Sequence, residues 1–210
     1  MNSFLDTTII IKYLEYDYIK EQLREKCFEY IKSSKTSLLI SFVVKDELSR
    51  VVLQRKEIYE CVLRKIKDPY YEFDYKKTIY LKKHDVLFAQ ELYLRLKSQD
   101  VEKLRYEFDS EISFLNVSLD LFLKNKVDEI EIRKLELDNF IQSILQDYIA
   151  DFADCRVLTS AIQMQQTRDI FFFVTADRHF APNEYEFLKD ESKLKNYKFP
   201  ELKNILYENG

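Results

Sequence analysis

Glycine is nearly missing from this sequence, one residue in 210, and proline occurs only three times. So few backbone breakers, in a chain that is 46% apolar and 33% charged, exclude a disordered protein and point to a compact one dominated by helices. Cysteine is scarce as well. Cys27, Cys61 and Cys155 stand far apart with no Cys-x-x-Cys pair, and only His84 and His179 are available to join them, which argues against a zinc finger or a disulfide framework. Basic excess is lacking: 33 Lys and Arg against 37 Asp and Glu leave a net charge of −4, not the footprint of a nonspecific nucleic-acid coat. An acidic metal site would nevertheless concentrate negative charge locally while a groove elsewhere stays basic. No stretch has the basic start and apolar core of a signal peptide, or the apolar length to span a bilayer, so a cytoplasmic protein with no membrane partner is expected.

The length suggests one domain carrying a large insertion. Phe4-Leu5 with its neighbours, Ser37-Leu38-Leu39-Ile40 and Ile170-Phe171-Phe172-Phe173-Val174 have the character of parallel strands, because a helix-like pattern follows each one directly. The last run is apolar on both faces, as a central strand should be, and a short segment around Tyr197-Lys198-Phe199 is expected to add an edge strand. Helices are predicted over Thr8–Tyr16, Tyr18–Ile31, Phe42 to about Arg55, with Ser41 as cap, and Asp147 to about Gln165. Residues 57–146 hold almost no breaker besides Asp68-Pro69. They read mainly as helices, with apolar spacing of three and four in Phe88–Lys97, Val101–Phe122 and Ile130–Leu145. The expected division is therefore an α/β domain from residues 1–56 and 147–210 and a helical lobe from 57–146.

Within this pattern a few acids occupy unusual positions. Glu47 falls inside the apolar arc Val43, Val44, Leu48, Val51 and Val52, where a carboxylate needs a cation, a metal or several donors. On the following acidic helix, Asp151 and Asp154 project onto the face of Leu158, Ala161 and Ile162, with Arg156, Ser160 and Gln163 opposite. Two carboxylates converging on one stripe repel each other, and a divalent ion relieves that. Asp6 and Asp177 end strands, and the carboxyl ends of a parallel sheet are where ligands bind. Oxygen ligands suit Mg²⁺ or Mn²⁺. Every one of these acids except Asp154 also has a plainer role open to it: Asp6 as a helix cap, Glu47 paired with a buried cation, Asp151 at the rim, Asp177 as a turn residue.

Four segments stand in order along the chain: Leu5-Asp6-Thr7-Thr8, Ser41-Phe42-Val43-Val44-Lys45-Asp46-Glu47-Leu48, Ala153-Asp154-Cys155-Arg156-Val157-Leu158-Thr159-Ser160-Ala161, and Val174-Thr175-Ala176-Asp177-Arg178-His179-Phe180. Together they resemble the PIN-domain family. That pattern has an apolar strand ending in Asp-Thr-Asn, a strand followed by Ser and a Glu-Leu helix, an Asp on a small-residue helix, and a final strand with Thr-x-Asp-x-x-Phe. The resemblance implies a three-layer Rossmann-like fold around a parallel sheet, Mg²⁺ or Mn²⁺ dependence, and endonuclease activity on RNA. It also implies kinship with the toxin half of bacterial toxin-antitoxin pairs, with an antitoxin-like protein and a second copy of the chain as candidate partners. Carried over, Asp6, Glu47, Asp154 and Asp177 are the catalytic metal-binding set with Asp151 beside them, and Thr7, Thr175 and Arg178 contact substrate. The chain departs from the pattern at Thr8, where Asn is frequent, and in the long separation of Glu47 from Asp154.

Arg64, Lys65, Lys67, Lys76, Lys77, Lys82 and Lys83 are candidate phosphate contacts or simply a solvated helix face, and Tyr70, Tyr71 and Phe73 either stack bases or pack the lobe. Two other functions compete. One is a haloacid-dehalogenase-like phosphatase with Asp6 as nucleophile, which Thr8 disfavours because such enzymes commonly carry a second Asp there. The other is a PIN-like scaffold that binds RNA or protein without turnover.

Overall fold

The computed structural model describes residues 1–15, 21–131 and 136–207. The predicted helix limits Tyr16 and Tyr18, and residues 132–135 of the periodic run Ile130–Leu145, lie outside the described residues.

Asn2–Leu5 forms strand β1 and Thr7–Leu14 helix α1, with only Asp6 between them. Helix α2 (Gln22–Ser33) leads to β2 (Ser37–Ser41), and Phe42–Lys67 is one helix, α3. Ser41 caps α3 as predicted: the Val44 N–H donates to its Oγ at 3.4 Å. The helix outruns its predicted end near Arg55 because no breaker intervenes before Asp68-Pro69, where proline disfavours helical geometry in the residue before it. Helices α4 (Lys83–Leu96) and α5 (Val101–Asn125) follow, then β3 (Glu129–Glu131), α6 (Asn139–Gln146), α7 (Phe152–Arg168), β4 (Ile170–Thr175), α8 (Pro182–Asp190) and β5 (Glu201–Asn204). Asp169 closes α7 in the left-handed region at φ 51°, a geometry aspartate tolerates, and β4 starts at the next residue.

The five strands form one sheet in the order β3-β2-β1-β4-β5, every pair parallel. All carboxyl ends thus share one edge. The chain steps outward from β1 through β2 to β3 and then returns to the other side of β1 for β4 and β5, so strand order reverses between β1 and β4. Successive side chains of a strand point to opposite faces. Phe4 and Leu5, and likewise Phe173 and Val174, are fully buried, so the centre of the sheet is covered on both sides. This is an α/β layout of the Rossmann-like kind.

Several sequence expectations need correction. Asp147–Gln165 is not one helix: α6 ends at Gln146, and α7 begins at Phe152 with Asp151 as its cap. Ser160 does not face outward. It is buried with its Oγ 2.9 Å from that of Ser41, because α7 is enclosed along nearly its whole circumference from Cys155 to Met164. The last strand is Glu201–Asn204, not the segment around Tyr197–Phe199, and β3 interrupts the predicted helical stretch. Both are edge strands held by ladder hydrogen bonds, which no apolar alternation announces.

The chain divides into two compact units, residues 1–48 with 121–210 and residues 49–120, in place of the predicted limits 56/57 and 146/147. Both divisions fall within unbroken helices, α3 and α5, where composition gives no mark, while β3 and α6 belong to the first unit through their pairing with β2 and packing on α7. The second unit has its own core of Ile58, Val62, Leu63, Ala89, Leu92 and Leu104, with Tyr59 and Phe108 stacked at 4.1 Å. Tyr71 and Phe73 pack against that core, while Tyr70 is exposed. Several candidate phosphate contacts are engaged locally: Lys65 donates to the carbonyls of Pro69 and Tyr71, and Lys67 pairs with Glu102 at 3.1 Å. Among the described residues no helix is long and apolar enough to cross a membrane.

Candidate active site

The reversal between β1 and β4 opens a crevice at the carboxyl edge of the sheet, the place where open parallel sheets take their ligands. Asp6 stands there directly after β1, and Thr175 ends β4 beside it. Asp6 occupies the cap position of α1 but makes no side-chain cap hydrogen bond. Instead its Oδ2 accepts from Thr8 Oγ1 at 2.5 Å and from Thr175 Oγ1 at 2.6 Å. The side chain is 97% enclosed, and burial together with the charges of Glu47 and Asp154 lifts its pKa from 3.8 to about 7 against the pull of the two hydroxyls. Thr8, where the chain departs from the family pattern, is thus a hydrogen-bond donor to Asp6.

Glu47 reaches the site from the first turns of α3, half-buried, and its Oε2 accepts from Thr7 Oγ1 at 2.6 Å. Thr7 and Thr175 were assigned to substrate. Both are buried with their hydroxyls donating to site carboxylates, and Thr175 also accepts from the Asp177 N–H at 3.0 Å, so their role is to hold the acids.

Asp154, in the first turn of α7, and Asp177, just after β4, are joined by a residue that acid-counting overlooked. His179 Nδ1 lies 2.8 Å from Asp154 Oδ2 and 3.3 Å from Asp177 Oδ1. Between two ionised carboxylates, which only accept, the favourable role for Nδ1 is donor. Burial and the charge of Asp177 raise the Asp154 pKa to about 6, while His179 opposes the rise. Asp177 Oδ1 also accepts from the His179 N–H at 2.8 Å, so its turn role and its site role coexist. The turn is fixed from beneath by buried Asn204, whose Nδ2 donates to the carbonyls of Asp177 and Phe180 at 2.7 and 2.8 Å. The only sign of His179 in the sequence was its place two residues after Asp177. Asn204 left none, because its contacts depend on the pairing of β5 with β4.

Among the described residues the ligand atoms of Asp154, Asp177 and His179 form a group lying within 4.8 Å of one another, and Asp6, Glu47 and Asp151 are outside it. Asp6 is nonetheless coupled to Glu47 and Asp154 through their charges. Asp151 serves α7: its Oδ1 accepts from the Ala153 N–H at 2.7 Å, and it acts on Asp154 as a neighbouring charge. Arg178 is exposed at the rim. No lysine or arginine among the described residues forms a salt bridge with Asp6, Asp154 or Asp177, and His179 is the ion-pair partner of the latter two. Two carboxylates and an imidazole are a donor set that fits a divalent cation such as Mn²⁺ or Mg²⁺, and the surplus negative charge around them favours one. No protein-family model matches the chain, and no curated protein or solved structure matches it either.

Proposed function

We propose that the chain is a divalent-metal-dependent endoribonuclease of the PIN-domain kind. The observation that carries this reading is the convergence of Asp154, Asp177 and His179, with buried Asp6 and Glu47 beside them, at the point where the sheet reverses. Asp154, Asp177 and His179 would hold the cation, with Asp6 and Glu47 supplying further negative charge. When bound it would polarise a phosphodiester, activate water and offset the charge of the transition state. The other steps belong to the protein. Both described hydrogen bonds to Asp6 end on Oδ2, which leaves Oδ1 to take a proton from water. Thr8 and Thr175 fix the orientation of Asp6, Thr7 fixes Glu47, and Asn204 fixes the turn of Asp177. In-line hydrolysis by this arrangement gives a 5′-phosphate and a 3′-hydroxyl. The phosphatase alternative is disfavoured by Thr8, which stands where such enzymes commonly carry a second Asp and here serves as a donor to Asp6.

The test is to incubate the protein with mixed single-stranded RNAs and Mn²⁺, with and without chelator, alongside Asp6→Asn and Asp154→Asn. Chelator should abolish cleavage and each variant should lower kcat by roughly a hundredfold or more. RNA left whole under every metal, or cut equally well by the variants, rejects the proposal. A role as a toxin adds one expectation: expression of the wild type arrests growth while the two variants do not.

A further inference from the structure

A pocket of about 430 Å³ adjoins the acidic group and shares His179 with it. Its other walls come from the α6–α7 connection and the first turns of α8, and they present two aromatic rings to solvent. Tyr148 is 46% exposed and Phe187 60% exposed, so both rings are accessible to a ligand. Neither ring is loose. They meet edge to face at 5.6 Å, and the Tyr148 hydroxyl donates to Glu191 Oε2 at 2.6 Å, so the pair is ordered before any ligand arrives. Asn183 and Glu184 line the same pocket and bring an amide and a carboxylate to it.

From this arrangement we infer that the pocket is a subsite for one unpaired nucleobase of a single-stranded RNA, stacked on the face of one ring of the pair Tyr148 and Phe187 and met by the edge of the other, next to His179. The inference rests on the ribonuclease reading and narrows its substrate to RNA whose bases are not paired. A flat π surface is what two pinned aromatic rings recognise, and the side chains of Asn183 and Glu184 complement the donors and acceptors of a base edge. A phosphate would not be drawn there, since none of the described residues lining the pocket is a lysine or arginine. The shared histidine places a stacked base beside the acidic group, so its own phosphodiester lies within reach of the cation-binding residues.

The chain contains no tryptophan, so Phe187→Trp installs a single reporter. In chelator, where nothing is cut, free ribonucleosides and single-stranded hexaribonucleotides should quench the indole, while a hexamer of abasic ribose phosphates should not. Adding Tyr148→Ala to the reporter chain should weaken nucleoside binding by about tenfold. In the otherwise native chain, Phe187→Ala should raise the KM for RNA cleavage by about tenfold and leave kcat within about twofold. Indifference of the indole to nucleosides and RNA alike overturns the inference, as does equal quenching by the abasic hexamer or protection of the rings only by a protein. If the native chain cuts no RNA, the nuclease reading falls by itself, and nucleoside quenching still decides whether a base occupies the pocket.

Discussion

Asp6 concentrates the chemistry of single residues in this protein. Its carboxyl group is held between burial and two hydroxyl donors, and Thr175 provides the larger of the two opposing hydrogen bonds. Thr175→Val keeps the shape and removes the donor, so the Asp6 pKa should climb further. A hydrogen bond to a charged group contributes about 1.5–3 kcal/mol, which corresponds to an upward move of roughly one to two pH units in the acid limb of kcat/KM. A pH profile identical to wild type would show that Thr175 does not govern Asp6. His179→Ala should lower Mn²⁺ affinity by roughly tenfold or more in calorimetry, whether the imidazole is a ligand or orients one. Glu47 and Asp154 were conspicuous because each falls on an apolar helix face, and Asp177 because it ends a strand. Thr7, Thr8 and Thr175 were visible only as parts of motifs, and which carboxylate each one holds follows from the fold.

Among the elements, α7 separates two acids that the sequence treated alike. Asp151 begins the helix and satisfies one of its free N–H groups, whereas Asp154 points at Asp177 and His179. Asp151→Ala should therefore cost about 1 kcal/mol, seen as a fall of about 2–4 °C in Tm, with kcat little changed, and Asp151→Asn should retain most of that stability. Loss of activity in Asp151→Asn as deep as in Asp154→Asn would return Asp151 to the cation-binding group. The predicted i, i+3 pairing failed because the helix starts one residue after Asp151, and an N-cap has extended backbone that turns its side chain onto the helix end (φ −86°, ψ 120°). The strands show a similar boundary. β1, β2 and β4 were readable from apolar runs, while β3 and β5 carry Glu-Ile-Glu and Glu-Leu-Lys-Asn and exist because a neighbouring backbone is there to pair with.

For the whole molecule, the gathered carboxylates link stability to pH and, on the proposed reading, to metal. Asp6 has a folded pKa of about 7 against 3.8 in its ordinary state, so between those values the unfolded chain binds fewer protons than the folded one. Stability without metal should accordingly fall as pH rises across that window, by up to about 1.4 kcal/mol for each pH unit, with Asp154 adding to the slope up to about pH 6. In chelator the Tm at pH 5 should exceed that at pH 8, Asp6→Asn should flatten the difference, and Mn²⁺ should restore the Tm at pH 8. A Tm that rises from pH 5 to 8 without metal, or ignores Mn²⁺ at pH 8, would count against a cation-binding centre.

The sequence alone determined the α/β class, the parallel arrangement, the three central strands and the conspicuous acids. These follow from local signals: apolar runs, helical spacing, and charges set within apolar faces. Tertiary structure decided the strand order, the two edge strands, the unit boundaries inside α3 and α5, and the choice of His179 over Asp151 as the neighbour of Asp154 and Asp177. Those features depend on which distant segments meet across the sheet, and a ladder hydrogen bond or a 3 Å contact between residues far apart in the chain leaves no periodicity behind it.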